Sequence, residues 1–213
     1  MYKPIKARPL PERLLRLNGI SARTIREHYK LYEGYVNKAN ETRAKLEQID
    51  VAQGNTTYSE IRALKRGESF ALDGVKLHEL YFDELGGKGR PEGEIVKAIE
   101  RQYGDFDRFL AEFRGAGLSG RGWAILAFDT EQEELFIYIT DDQHNGHVIQ
   151  SIPILPMDVF EHAYYIDYGT SRGEYINAFF RNLDWSVVNR RYLEARKSVR
   201  PRFRLLGSRE VSS

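Results

Sequence analysis

The stretch Met157-Asp158-Val159-Phe160-Glu161-His162-Ala163-Tyr164-Tyr165-Ile166-Asp167-Tyr168 holds a carboxylate and an imidazole four positions apart, where the sequence changes its period. Before it, Ser151 to Val159 is short and apolar and contains Pro153 and Pro156. It reads as a strand, and prolines suit a strand end or a sheet edge because they donate no ladder hydrogen bond. After it, helices are expected at about 160–168, 172–182 and 185–196. An aspartate where a strand ends and a histidine one turn later can point at one ion. The same pair also serves as an N-cap aspartate with a packed histidine.

Upstream of that strand, Trp123 to Phe128 and Leu135 to Thr140 are short, aromatic and β-branched, and an acidic turn joins them into a hairpin. Helices at about 94–103 and 105–115 precede them, then a glycine-rich turn at 117–122. The segment Gly86-Gly87-Lys88-Gly89-Arg90-Pro91-Glu92-Gly93 is the best linker in the chain and divides it into 1–88 and 89–213. In the first part, Ser21 can cap a long helix at about 22–49. Ile25, His28, Tyr32, Tyr35, Val36, Ala39, Leu46 and Ile49 share one face of it. Gln53-Gly54-Asn55 breaks the pattern, a short helix restarts at 56–65, and a second long stripe runs from Phe70 to Leu85 through Val75, His78, Tyr81 and Phe82. The short connection makes the two long helices antiparallel. Residues 1–18 carry three prolines and read as an extended arm. The fold class is α+β: an N-terminal antiparallel α-hairpin domain, then a C-terminal domain with a three-stranded antiparallel sheet surrounded by helices and a basic tail.

Composition narrows the chemistry. Across 213 residues, 41% are apolar and the formal charge is +1, enough apolar content for a core and no basic excess for nucleic acid. No run is long and apolar enough for a membrane span, and the start has no apolar signal core, so a cytoplasmic protein is expected. Cysteine is absent, which excludes disulfides, thiolate metal sites and cysteine nucleophiles. Any metal must sit on imidazole and carboxylate. His28 and His78 lie on the inner faces of the two long helices, and a buried imidazole needs a partner. Three histidines and one carboxylate suit iron, manganese or zinc.

At this point six motifs, in order along the chain, resemble the iron/manganese superoxide dismutases. Residues 157–168 are similar to the family signature Asp-x-Trp-Glu-His-Ala-Tyr-Tyr. Ile20 to Tyr29, continued by Gly34-Tyr35-Val36-Asn37, resembles the first ligand helix. Leu77-His78-Glu79-Leu80-Tyr81-Phe82 resembles Asn-His-x-x-Phe-Trp. The linker, the Ala98 to Phe109 stretch and Ser119-Gly120-Arg121-Gly122-Trp123 match the middle in order and spacing. The resemblance implies disproportionation of superoxide at one redox ion per chain, with His28, His78, Asp158 and His162 as ligands.

It also implies roles around the ion. Tyr35 matches a gateway tyrosine whose hydroxyl can reach Gln143, and Gln143 matches the glutamine that donates to metal-bound solvent. That glutamine comes from the strand loop in manganese members and from four before the second histidine, here Gly74, in iron members, so manganese is favoured over iron. His144, next to Gln143, exchanges roles with it if the alignment slips by one. Trp123 matches a pocket wall, while Phe82 and Phe160 stand where tryptophan is usual. Lys30 and Arg172 are candidates for steering an anion. Glu161 and Tyr165 match interface residues of a homodimer or homotetramer.

One departure concerns the first ligand helix. The family has eight residues from ligand to gateway tyrosine, with a second histidine between; here the interval is seven, with Leu31 and Tyr32 in that region. A local π-bulge difference is expected to absorb the deletion. An ungapped alignment would place Glu27 at the ligand position, but residues 20–28 align through His28 without a gap. The competing readings are a superoxide-dismutase-like structural or partner-binding protein without redox activity, with the 197–209 tail as its arm, and a zinc hydrolase on the same four side chains.

Overall fold

Ser21 starts the first long helix: its side chain accepts a hydrogen bond from the Thr24 amide at 3.1 Å, satisfying an otherwise orphaned donor. That helix, α1, spans Ala22–Leu46 and buries Ile25, His28, Tyr32, Val36 and Ala39 along one face. The computed structural model describes residues 2–199; of the basic tail at 197–213, everything from 200 on lies outside the described residues.

Ser59 caps α2, Glu60–Asp83. The short helix expected at 56–65 and the stripe at 70–85 are therefore one helix. Gly67 does not interrupt it, and Glu68 in the middle is fixed by Arg43 of α1 at 3.0 Å and by Lys65 at 2.9 Å. A glycine costs only about 1 kcal/mol within a helix, less than the packing of α2 along the length of α1.

The arm at 2–20 lies against this hairpin. Asn40 brackets Ile5 through its backbone N–H and C=O, both at 2.9 Å. The Arg8 amide donates to the Tyr32 hydroxyl at 2.8 Å. A short 3₁₀ turn at Glu12–Arg16 buries Leu14, and Arg13 donates to the carbonyls of Phe82 and Leu85.

Helices α3 (Glu94–Tyr103) and α4 (Phe106–Ser119) follow, then strands β1 (Trp123–Asp129), β2 (Glu134–Thr140) and β3 (Ser151–Asp158). All pairings are antiparallel, in the order β2-β1-β3. β3 is thus an edge, one of the two placements its prolines suit. Pro153 sits opposite Ala127, where the register shifts. β1 is central and buried along nearly its whole length. Its first residue, Trp123, pairs with Thr140 on one side and Asp158 on the other, which places the sheet end at the functional site.

The helix expected at 160–168 is instead two pieces, a 3₁₀ turn at Glu161–Ala163 and one turn of α5, Tyr165–Tyr168. Tyr164, with φ −143°, separates them. Helices α6 (Arg172–Arg181) and α7 (Trp185–Lys197) complete the described chain. The glycine-rich segment after α2 is tied down rather than loose: Gly86 and Gly87 both donate to the Asn182 carbonyl at 2.9 Å, and Leu85 bridges to Leu183. One hydrophobic core runs from Leu14 to Ala195 through both parts of the chain.

Candidate metal centre

Four elements aim one donor each at a common point. His28 comes from the buried face of α1 and His78 from that of α2. Asp158 is the last residue of β3, and His162 lies in the 3₁₀ turn that follows. Their ligand atoms all lie within 4.8 Å of one another. Asp158 Oδ2 is 3.0 Å from His28 Nε2, 3.0 Å from His162 Nε2 and 3.6 Å from His78 Nε2. His28, His78 and Asp158 are fully buried, and the His162 side chain keeps 24% of its exposure.

The arrangement fits a cation better than a hydrogen-bonded core. His78 Nδ1 already donates to the Gly74 carbonyl at 2.6 Å, which leaves Nε2 facing the cluster with no partner. A buried polar atom without a partner costs free energy. Metal–imidazole bonds of roughly 2.1 Å put neighbouring donors about 3–3.6 Å apart, the spacings found here. Donors of nitrogen and oxygen without sulfur suit manganese or iron.

The electrostatics agree. Burial, and after it the neighbouring His28, hold His78 down at about 3, so its imidazole is neutral and free to bind. Burial likewise lowers His28, against the opposing pull of Asp158. Burial pushes the Asp158 carboxyl up, but His162 and His28 outweigh it and hold the group well below the usual carboxylate range. The anion is kept in place from behind: its Oδ1 accepts from the Phe160 amide at 2.9 Å, and the Tyr175 hydroxyl donates to the Asp158 carbonyl at 2.7 Å.

Around the donors stand aromatic rings. Phe160 stacks on His162 at 5.1 Å, Phe82 lies 5.2 Å from His28, and Trp123 meets His78 edge-on at 5.3 Å. Tyr35 is 5.3 Å from His78 and accepts a hydrogen bond from Gln143 Nε2 at 3.2 Å. Gln143, fully buried, accepts the Trp123 indole N–H on Oε1 at 2.9 Å. The loop amide thus bridges the Tyr35 hydroxyl and the Trp123 indole. His144 turns away instead: its Nδ1 bonds Asp142 at 2.7 Å and its ring rests on Phe70.

A family model described as iron/manganese superoxide dismutases, C-terminal domain, matches residues 91–191. The iron superoxide dismutase of Aquifex aeolicus is 42% identical over 188 residues, covering 85% of this chain and 88% of that protein. That of Saccharolobus solfataricus is 35% identical over 198 residues, covering 89% and 94%. A manganese superoxide dismutase of Mycobacterium lepraemurium is 35% identical over 172 residues, covering 79% and 82%. The chain belongs to the iron/manganese superoxide dismutases. The relatives' names include both metals, so the family allows iron or manganese.

Within that family, the shortened first helix has a simple outcome. α1 is α-helical throughout, with no π turn to absorb the missing residue. Seven residues make about two turns, with a drift of only ~20°, so His28 and Tyr35 share a face without one. Glu27 points outward and pairs with Lys30 at 2.7 Å. Lys30 is thereby exposed and paired. Arg172 donates to the Gly120 carbonyl at 2.7 Å and to the Tyr164 hydroxyl at 3.1 Å, which clamps the turn before β1. Tyr32, on the same buried face of α1, donates its hydroxyl hydrogen bond to Glu79 at 2.9 Å.

Sequence reasoning missed Gly74 as a spacing device. A Cβ there would sit 2.8 Å from the Tyr35 ring. Gly74→Ala gains helix propensity of about 1 kcal/mol but must push a ring wedged between two helices, which costs roughly 1–3 kcal/mol. The expected result is a lower denaturation midpoint together with lost activity, because Tyr35 leaves Gln143. A more stable and fully active variant would show that the ring moves freely. The signal was available: Gly74 is one turn before His78 on the same face.

Proposed function

We propose that this chain disproportionates superoxide, two superoxide ions and two protons giving dioxygen and hydrogen peroxide, at one manganese or iron ion. The ion would be held by Nε2 of His28, His78 and His162 and by Oδ2 of Asp158. The convergence of those four atoms within 4.8 Å, three of their residues fully buried, carries the reading. When bound, the ion supplies reversible one-electron exchange with superoxide. Everything else is done by side chains.

Burial raises the Tyr35 hydroxyl above its ordinary pKa, so it keeps its proton at Oη and is the group placed to pass one on. Gln143 orients that hydroxyl from one side. The rings of Phe82, Phe160 and Trp123 exclude water and larger reductants. We infer that manganese is the preferred ion. The amide comes from the loop at 143, and Gly74, where the helix-borne alternative would stand, has no room for a side chain. The ion would join the two parts of the chain, 1–88 and 89–213, since each supplies two ligands.

We also propose a homodimer, or a homotetramer built from it, formed around Glu161 and Tyr165. Both are exposed beside His162, with Ile166 exposed at 43% next to them. Glu161→Ala is expected to shift sedimentation toward the monomer and lower metal retention. An unchanged profile with full metal would contradict that interface. Among the described residues no helix is long and apolar enough to cross a membrane.

The test of the activity is to strip the purified chain, reload it with manganese, iron or zinc, and measure bound metal and superoxide decay. Fast decay with manganese or iron and none with zinc is the expected pattern. Stoichiometric manganese and iron with no decay would overturn the proposal and favour a structural role.

A further inference from the structure

Gln143 sits in the loop between β2 and β3, residues 141–150, where no ladder or helix holds the backbone. Its side chain is fixed by Trp123 and Tyr35, but a side chain is only as well placed as the peptide carrying it. That peptide is held by a second histidine. His147 Nε2 is 2.9 Å from the Gln143 carbonyl, and its Nδ1 is 3.0 Å from the Tyr138 hydroxyl on β2. A carbonyl only accepts, so Nε2 is the donor to Gln143, and Nδ1 shares a hydrogen bond with the Tyr138 hydroxyl. The Tyr138 hydroxyl keeps its proton because burial pushes it up to about 12. The ring is also packed: Tyr138 meets it edge-on at 5.9 Å, and Asp73 of α2 lies 3.9 Å from Nε2.

We propose that His147 is a positioning residue for the proposed dismutase reaction: a strut from β2 that fixes the Gln143 peptide and, through it, aims the Gln143 amide at Tyr35. The proposal rests on the functional reading above and deepens it. An imidazole is rigid and bonds at both ends, so it ties the Gln143 peptide of the loop directly to β2. The neighbouring contacts do not replace it, since Asp142 organises His144 and Asn145 instead. Three elements then locate one amide: α1 through Tyr35, β1 through Trp123, and β2 through His147.

The Trp123 indole N–H reports the Gln143 position directly, because its acceptor is Gln143 Oε1 at 2.9 Å. The chain has only two tryptophans, so the indole region of a ¹⁵N-correlated spectrum holds two signals. The spectrum would be taken on the full chain loaded with zinc, which is diamagnetic and accepted by such donors. In His147→Leu, the Trp123 indole proton is expected to move upfield as its hydrogen bond lengthens. In His147→Gln, whose amide nitrogen reaches to about the same place, the signal stays at the parent position. Tyr138→Phe, which removes the far anchor, gives a smaller shift in the same direction.

In the manganese-loaded protein the Leu variant should lose activity by about tenfold, with the Gln variant restoring most of it. An unmoved Trp123 signal in His147→Leu, or equal shifts in the Leu and Gln variants, overturns the proposal. Should the Leu variant fail to fold, the Gln and Phe variants decide: parent-like and shifted supports the strut, and both unshifted overturns it. The indole readout needs no redox turnover, so an inactive chain with the expected indole shifts would refute the dismutase reading while leaving the His147–Gln143 strut standing, and unmoved signals in an active chain would do the reverse.

Discussion

Asp158→Ala is expected to yield a chain that retains no manganese or iron and shows no superoxide decay above background. Asp158 is the only anion among the four donors, and its Oδ2 lies within 3.6 Å of all three imidazole Nε2 atoms. Removing it leaves three neutral or mutually repelling rings, because His162 owes its raised pKa to that carboxylate against the opposing effect of burial. The effect reaches beyond the metal. Oδ1 also takes the Phe160 amide, so the turn carrying His162 loses its anchor. Breaking a buried charge cluster from one side costs on the order of 3 kcal/mol. The loaded parent additionally gains linkage stabilisation, about 4 kcal/mol at a thousandfold excess over Kd. Metal quantification and thermal unfolding with and without added manganese check both parts. The variant's Tm should no longer respond to manganese, and a variant that holds near-equimolar metal would remove the proposed centre.

Arg191→Met is expected to destabilise the protein by about 3–5 kcal/mol, with a steeper loss of stability at rising pH than the parent shows. Arg191 of α7 is nearly buried and donates to Glu84 Oε2 at 2.5 Å, to the Leu80 carbonyl at 2.6 Å and to the Ile154 carbonyl at 3.2 Å. It joins the end of α2 to β3. Glu84 is fully buried. Burial holds its carboxyl well above the usual carboxylate range even though the guanidinium pulls it down, and removing the guanidinium raises it further. Without Arg191 only the upward push remains. A carboxyl whose folded pKa lies above its unfolded value near 4.5 binds more protons folded than unfolded. Stability is therefore retained at acid pH and lost as pH rises through the folded value. Denaturant midpoints at about pH 5 and about pH 8 should converge on the parent at the lower pH and diverge at the higher. A deficit independent of pH would mean that only packing was lost.

Much of this was legible in residue order. The stripes through His28 and His78 placed two imidazoles on inner helix faces, because period 3.6 and burial are local properties of the chain. Pro153 and Pro156 pointed to a strand end or a sheet edge through their missing N–H groups, and β3 is an edge. The join between 56–65 and 70–85 was misread because Gly67 weakens a local signal that the contact with α1, and Arg43 on Glu68, override. The helix expected at 160–168 broke at Tyr164, since aiming His162 at Asp158 takes precedence over helical continuity. The missing residue between His28 and Tyr35 seemed to demand a π-bulge, yet a plain α-helix already returns to the same face after seven.

Residue types and their spacing alone determined that any ion here must rest on nitrogen and oxygen, that two long helices face each other, and that a three-stranded sheet follows. Those facts need only near neighbours and a period. What tertiary structure decided is which polar atoms end up alone with one another. Asp158 meets His28 across 130 residues, Arg191 meets Glu84 across 107, and Gln143 meets Tyr35 across 108. Such pairings are set by burial, where an unpaired polar group is costly, and burial belongs to the packed whole rather than to any segment of the chain.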